Sequence, residues 1–228
     1  MQKKSKYTSD FEILNALPAQ VGALLLKDCF SYYKKPQKKI FDLMQKGYLF
    51  SIKKGHYLNL KSKEIKTAKL ECLGNMLYFP SYVSAEWALQ YYGLLTDRVY
   101  TVTSVTTRRS ANFNTPMGVF SFEHIYKRRY PYGYFIETSQ EQSFFIARPD
   151  KALLDYINLR IKKINWKSKE EILAFLIEDL RLNLDAFLKL IKIEELDELL
   201  PHYHRNSKEA RLLKWLKTQK EKKYVTSP

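Results

Sequence analysis

The sequence predicts an α+β protein built from a small helical unit with a β-hairpin, a mixed α/β unit and a helical tail. Apolar residues recur at helical spacing between residues 10 and 45, and again after residue 168. Between residues 98 and 147, short runs of β-branched and aromatic residues alternate with polar ones, as in half-buried strands. We place the boundaries at 1–60, 61–79 (a helical linker), 80–165 and 166–228.

Three helices are predicted in the first part of the chain. Ser9 is suited to cap a first helix, which Pro18 ends. A second helix covers about residues 25–33. A third begins at Pro36, a favoured first-turn residue, and should turn four apolar residues inward. These four are Ile40, Phe41, Leu43 and Met44.

The stretch GYLFSIKKGHYLNL (47–60) predicts two short strands that turn at Lys54-Gly55. Three helices followed by a hairpin with a basic tip are typical of a winged helix-turn-helix, whose third helix enters the major groove of DNA. We therefore predict DNA contacts from residues on or near the third helix and on the hairpin. They are Lys34, Lys35, Gln37, Lys38, Lys39, Lys53, Lys54 and His56. The alternative is that this lysine-rich face is merely solvated.

The middle of the chain predicts a mixed α/β unit. Ser81 is suited to cap a helix that ends at Gly93. Next comes RVYTVTSVTTRRS (98–110), whose alternating Val and Thr residues favour a half-buried strand. The stretch NTPMG (114–118) predicts a turn, further strands follow, and a helix begins at Pro149.

Helical spacing marks the rest of the chain, where Ser168 and Glu171 form a capping-box pattern. Charge is unevenly distributed around this tail. The net charge is +15, yet residues 168–200 hold nine acids against four bases. Residues 1–80, in contrast, hold fifteen lysines, no arginine and six acids. An excess of lysine in the first part of the chain favours a polyanionic partner there.

Arginine occurs instead around the middle strands. Its planar guanidinium suits two-pronged contacts with carboxylate or phosphate, so these residues predict a protein partner or a second nucleic-acid surface. They are Arg98, Arg108, Arg109, Arg128 and Arg129. The alternative is a solvated rim of the sheet.

Several classes of site find no support in the sequence. The seven glycines form no phosphate-binding loop, and the two cysteines lack the spacing of a zinc site, so we expect no cofactor and no metal. His202 and His204, two residues apart, point in different directions on a helix. Glu86, Asp150 and Asp155 are candidate acids or bases, but structural roles are favoured and we expect no catalysis. No apolar run approaches the roughly 20 residues that span a bilayer, which favours a cytoplasmic protein.

A contiguous motif carries a family resemblance. The stretch PSYVSAEWALQYYGLLTDRVYTVTSVTTRRSANFNTPMGVFSFEHI (80–125), with YPYGY (130–134) and ARPDKALLDYI (147–157), resembles the AbiEi family. That family comprises the antitoxins of type IV toxin–antitoxin and abortive-infection systems. By position, the resemblance puts the third helix at 36–46, the wing at 52–57 and the core motif at 82–110.

The resemblance implies a two-gene system. An AbiEi-like protein represses its own operon by binding inverted repeats in operator DNA through its winged helix. It also opposes a nucleotidyltransferase-like (AbiEii-like) toxin without forming a stable complex with it, and its C-terminal domain is linked to this antitoxicity. Two alternatives remain at this point: an enzyme that modifies the toxin, such as a phosphotransferase, and a DNA-binding regulator that has no toxin.

Overall fold

A computed structural model of the chain describes residues 9–139, 142–162 and 166–225. Its contacts divide the chain into two compact units, Met1–Leu77 and Tyr78–Pro228. The predicted linker 61–79 falls almost wholly in the first unit, and the predicted helical tail falls in the second. Both helices and strands occur in each unit, so the predicted α+β class is confirmed.

From residue 9 onward, the N-terminal unit combines five helices with a three-stranded antiparallel sheet in the order β1-β3-β2. Its elements in chain order are α1 (Asp10–Ala16), β1 (Gln20–Gly22), α2 (Ala23–Cys29), α3 (Pro36–Gln45), β2 (Leu49–Lys53), β3 (His56–Asn59), α4 (Lys63–Thr67) and α5 (Leu70–Leu77).

Local chemistry explains where these elements begin and turn. Ser9 accepts a hydrogen bond from the Glu12 amide while the Glu12 carboxylate accepts one from the Ser9 amide, which completes a capping box at α1. Pro36 occupies the first turn of α3, where its missing N–H costs nothing. Gly55, at φ +77°, takes the left-handed conformation that the tight turn between β2 and β3 requires.

The core of this unit is formed by α1, α2, α3 and the sheet around Leu14, Leu26 and Phe30. From α3, Ile40 and Leu43 are buried in this core and Met44 packs against it. Phe41 departs from the prediction, because 56% of it is exposed. It lies about 100° around the helix from Ile40, which places its ring on the solvent side.

The C-terminal unit is built on a six-stranded mixed sheet in the order β6-β7-β5-β4-β9-β8. Strand pairs β4–β9 and β5–β7 are parallel, and the other pairs are antiparallel. Its strands are β4 (Ser81–Val83), β5 (Thr101–Thr106), β6 (Ala111–Thr115), β7 (Gly118–His124), β8 (Tyr134–Ser139) and β9 (Gln142–Ala147). Helices α6 (Ala85–Tyr91) and α7 (Pro149–Arg160) pack against each other beside this sheet.

The predicted capping role of Ser81 is wrong. Ser81–Val83 forms the central strand β4, and α6 begins only at Ala85. The strand conformation prevails because β4 pairs with β5 on one side and with β9 on the other. Gly93, at φ +69°, follows the C-terminal end of α6 as predicted.

Beyond residue 166 the described chain is mainly helical, as predicted. Its segments are α8 (Lys169–Ala174), a π-turn (Phe175–Asp179), α9 (Leu184–Leu190), α10 (Ile193–Leu199), a 3₁₀ turn (Leu200–His202) and α11 (Lys208–Val225). Helices α10 and α11 contact α7, so this tail is packed onto the α/β unit. Across the described ranges, the helices lack the combination of length and apolar character that crossing a bilayer demands.

Candidate nucleic-acid interface

The solvent face of α3 is polar apart from one aromatic ring. Since Ile40 and Leu43 point into the core, the opposite side of the helix presents Gln37, Lys38 and Gln45, all exposed, around Phe41. Within the described chain, neither glutamine side chain hydrogen-bonds to another residue. Four groups are therefore free to meet a ligand on this face.

Exposed lysines flank α3 in the chain and continue on the hairpin. Lys34 and Lys35 precede α3 and are exposed, as is Lys46 at its end. On the hairpin, Lys53 and His56 form the last cross-strand pair and Lys54 lies in the turn, with all three exposed. Seven of the eight residues predicted to contact DNA therefore have accessible side chains. Flexible ammonium groups around a helix face provide charges that can reach the phosphates on either side of a groove.

Lys39 is the exception among the predicted DNA contacts. Its Nζ lies 2.5 Å from Oδ2 of Asp10 and 4.6 Å from the ring centroid of Tyr33, so it joins α3 to α1. The hydroxyls of Tyr32 and Tyr33 each donate to the same carboxylate at 2.9 Å. Lys39 is thus part of an internal polar cluster, and no spacing in the sequence indicates its pairing with Asp10.

The ionisation of this cluster follows from those contacts. Burial would raise the pKa of Asp10, but the hydrogen bonds from Lys39 and the two tyrosines outweigh burial and hold that pKa below its ordinary value. For Lys39, burial would lower the pKa, and the hydrogen bond to Asp10 raises it instead. Both partners are therefore charged at neutral pH.

The five arginines of the second predicted surface do not form one patch. Arg98 precedes β5, whereas Arg108 and Arg109 follow it. Because β5 runs parallel to β7 with Thr106 opposite His124, the segment after β7 leaves the sheet at the same end as Arg108. That segment carries Lys127, Arg128 and Arg129, so four of the five arginines share one end of the parallel pair and Arg98 lies at the other.

The arginines at this end differ in their availability. Arg108, Arg109 and Arg128 are exposed, although Arg108 also has contacts within the protein. Arg108 stacks over Tyr78, with its Cζ 4.4 Å from the ring centroid, and donates to the Phe79 carbonyl. Arg129 is turned inward: its side chain is only 10% exposed. It donates to Asn158 at 2.8 Å, lies 3.8 Å from Glu209 and covers the ring of Tyr203. The contacts of Arg129 are those of a core residue.

A polar cleft of about 750 Å³ lies over the other end of β5 and includes Arg98. The Thr101 and Thr103 side chains of the 98–110 stretch line it, while Val102 and Ser104 face the opposite side and are buried. Arg160 also lines this cleft. It donates to Glu86 at 2.6 Å and lies 3.4 Å from Glu123. The remaining lining residues are Val99, Tyr100, Asn112, Asn114, Val119 and Ser121.

The candidate acids of α7 belong to a buried network. Asp155 accepts hydrogen bonds from Tyr82, Ser84 and Lys151 at 3.0, 2.8 and 2.5 Å. Lys151 and Asp155 are both almost fully buried and form an ion pair. Burial raises the pKa of Asp150 despite the opposing effect of the neighbouring Arg148. The contacts of Asp155 join α7 to β4, and Asp150 lies 3.4 Å from the guanidinium of Arg148, so both acids favour a structural role.

The two histidines of PHYHR serve separate contacts. His202 stacks on Tyr132 with ring centroids 3.5 Å apart, whereas Nδ1 of His204 accepts from the Asn206 amide. Among the described residues, no three His, Cys, Asp or Glu side chains are grouped so that they could hold a metal ion.

No protein-family model and no curated protein matches this chain. The likeness of residues 80–157 to the AbiEi family therefore rests on the motifs themselves.

Proposed function

We propose that this chain is the antitoxin of a type IV toxin–antitoxin system and represses its own operon by binding operator DNA. The N-terminal unit would bind inverted repeats in the promoter. The C-terminal unit would counteract a nucleotidyltransferase-like toxin encoded beside it, without a stable complex between the two proteins. The protein would act in the cytoplasm and use no cofactor.

One observation carries the DNA-binding half of this proposal: an accessible, lysine-flanked α3 followed by a hairpin with a basic tip. Helices α1, α2 and α3 with β1 and the β2–β3 hairpin follow one another in the order typical of a winged helix. In such an arrangement α3 would enter the major groove, and Lys53, Lys54 and His56 of the wing would lie along a phosphate backbone.

The antitoxin half rests on the motif of residues 80–157 and on the basic end of the sheet. The motif supplies the central strands β4, β5 and β7 together with α7. At the end of β5 and β7, Arg109 and Arg128 are exposed beside Lys127. Accessible guanidinium groups suit a carboxylate or phosphate partner, such as a charged surface of the toxin or the nucleic acid on which the toxin acts.

The DNA-binding half is tested by titrating the purified protein onto a labelled fragment of its own promoter, with a coding-region fragment of equal length as control. We expect tighter binding to the promoter at physiological salt. Equal affinity for both fragments, or no binding, would contradict operator recognition.

The antitoxin half is tested by expressing the neighbouring nucleotidyltransferase with and without this protein. Restored growth is expected when both are present. DNA binding without rescue would favour the regulator that has no toxin. A covalent change in purified toxin after incubation with this protein and ATP would favour the toxin-modifying enzyme.

A further inference from the structure

One stripe of α3 combines two amides and an aromatic ring. Gln37, Phe41 and Gln45 are spaced by four residues, so they lie above one another along the helix. All three are exposed, and the stripe forms one side of the solvent face, with Phe41 about 100° around the helix from Ile40 and Lys38 beside it. Lys38, Asp42 and the lysines flanking α3 surround it.

A lysine-rich helix face that is merely solvated would explain exposed lysines, but it would not explain an exposed phenylalanine ring among them. Phe41 is 56% exposed, and water contact with that apolar surface is unfavourable. The lysines around it, namely Lys34, Lys35, Lys38 and Lys46, favour a polyanion as the molecule that covers it. Duplex DNA offers one apolar group in its major groove, the C5-methyl of thymine.

We propose that the stripe of α3 reads A·T base pairs, with Phe41 packed on a thymine methyl and Gln37 hydrogen-bonded to an adenine. This inference rests on the proposed DNA-binding function. A glutamine amide both donates and accepts, so it can pair with N7 and N6 of adenine at once. Gln45 is the last residue of this stripe and lies at the C-terminal end of α3, where the helix would leave the groove.

The spacing of the stripe matches neighbouring base pairs. Four residues of an α-helix rise about 6 Å, and successive base pairs are separated by about 3.4 Å. A helix lying along the groove would therefore bring Gln37 and Phe41 to base pairs one or two steps apart. The operator half-site should contain a thymine and an adenine at that separation.

The other polar groups on this face serve a different purpose. Lysines contact phosphates, which carry no sequence information. Asp42 lies at one edge of the face, half-buried, with Lys38 four residues before it and Lys46 four residues after it. These two cations offset its negative charge, so Asp42 does not prevent the approach of DNA.

The test begins with selection of bound sites by the full-length protein from a randomised duplex library. Each thymine of the selected site is then replaced by deoxyuridine, which lacks only the C5-methyl group. We expect one replacement to weaken binding about four-fold, the effect of losing one buried methyl group. Phe41→Ala should bind the site roughly ten-fold more weakly and be insensitive to that replacement. Gln37→Ala should lose its preference at one A·T pair while the preferences elsewhere persist.

The control variant is Phe11→Ala, which removes an exposed ring from α1 rather than α3 and should keep the deoxyuridine effect. Selection of G·C pairs, deoxyuridine substitutions without effect, or a Phe41→Ala protein that keeps the penalty would overturn the inference while DNA binding stands. A Phe41→Ala protein that binds DNA normally but changes its oligomeric state would also overturn it. Failure to enrich any duplex would instead defeat the proposed function itself.

Discussion

Lys39 and Asp10 form an ion pair that joins α3 to α1, with 2.5 Å between Nζ and Oδ2. Lys38, the adjacent residue, is exposed on the solvent face of the same helix. Two neighbouring lysines that look equivalent in the sequence therefore differ in the structure: Lys39 joins α3 to α1, and Lys38 is exposed to solvent.

The first prediction separates these two lysines. Lys39→Ala should destabilise the N-terminal unit by about 1 kcal/mol, because Asp10 loses its cation. Lys38→Ala should leave stability unchanged and weaken DNA binding equally for all sequences. Hydrogen exchange of the α3 amides measures the first effect, and titration of promoter DNA measures the second. Interchanged effects of the two variants would show that the assignment is wrong.

The second prediction concerns pH. The pKa of Asp10 lies below its ordinary value of 3.8, so its contribution to stability is present above that value and is lost as pH falls through the lowered pKa. The pKa of Lys39 lies above its ordinary 10.5, so its contribution is present below 10.5 and is lost as pH rises through the raised pKa. Asp10→Asn should reduce the protection of α3 amides equally between about pH 5 and 9.

Below about pH 4, the difference between the wild-type protein and Asp10→Asn should shrink, because the wild-type carboxylate becomes protonated. Glu12→Gln changes a neighbouring acid that does not contact Lys39 and serves as the control. A difference that persists undiminished at pH 2 would exclude the ion pair as its cause.

The third prediction addresses the buried pair in α7. Lys151→Met should destabilise the C-terminal unit by roughly 3 to 5 kcal/mol, because it leaves the Asp155 carboxylate buried without a cation. The double variant Lys151→Met/Asp155→Asn should recover part of this loss. All three tryptophans, Trp87, Trp166 and Trp215, belong to this unit, so their fluorescence during urea unfolding reports its stability. A double variant less stable than the single one would contradict the explanation.

The fourth prediction separates two adjacent arginines. Arg129→Ala should destabilise the C-terminal unit by about 3 kcal/mol, because it leaves Glu209 buried without a partner. Arg128→Ala, at an exposed site, should change stability by less than about 0.5 kcal/mol.

If the basic end of the sheet carries antitoxicity, Arg109→Ala/Arg128→Ala should fold normally yet fail to rescue cells from the toxin. Full rescue by this double variant would show that this surface does not carry antitoxicity.

Local signals in the sequence predicted much of the fold. Ser9, Pro36 and Lys54-Gly55 each determine the local backbone through neighbours within a few residues, and their predicted roles agree with the structure. The capping prediction for Ser81 is wrong because the conformation of this residue is set by β5 and β9, strands that follow about 20 and 60 residues later. Pairing between distant strands overrides a capping signal.

The candidate site was predictable only in outline. The lysine-rich α3 and hairpin follow from composition and spacing, but the inward contacts of Lys39 and Arg129 depend on Asp10 and Glu209, which are remote in sequence. The apolar character of Phe41 predicts a core position, but the helix phase set by Ile40 and Leu43 places its ring on the solvent side. The cleft around Arg160 likewise requires Glu86 and Glu123 from other elements.

The most direct test of the central claim is the affinity of the full-length protein for its promoter fragment at salt concentrations between 50 and 300 mM. If lysines of this unit contact DNA phosphates, the logarithm of the binding constant falls linearly with the logarithm of salt concentration. Replacing both wing lysines, Lys53→Ala/Lys54→Ala, should make this slope shallower by the amount expected from the loss of about two phosphate contacts. An affinity that does not change with salt, or a slope that the wing variant leaves unchanged, would contradict DNA binding by this surface.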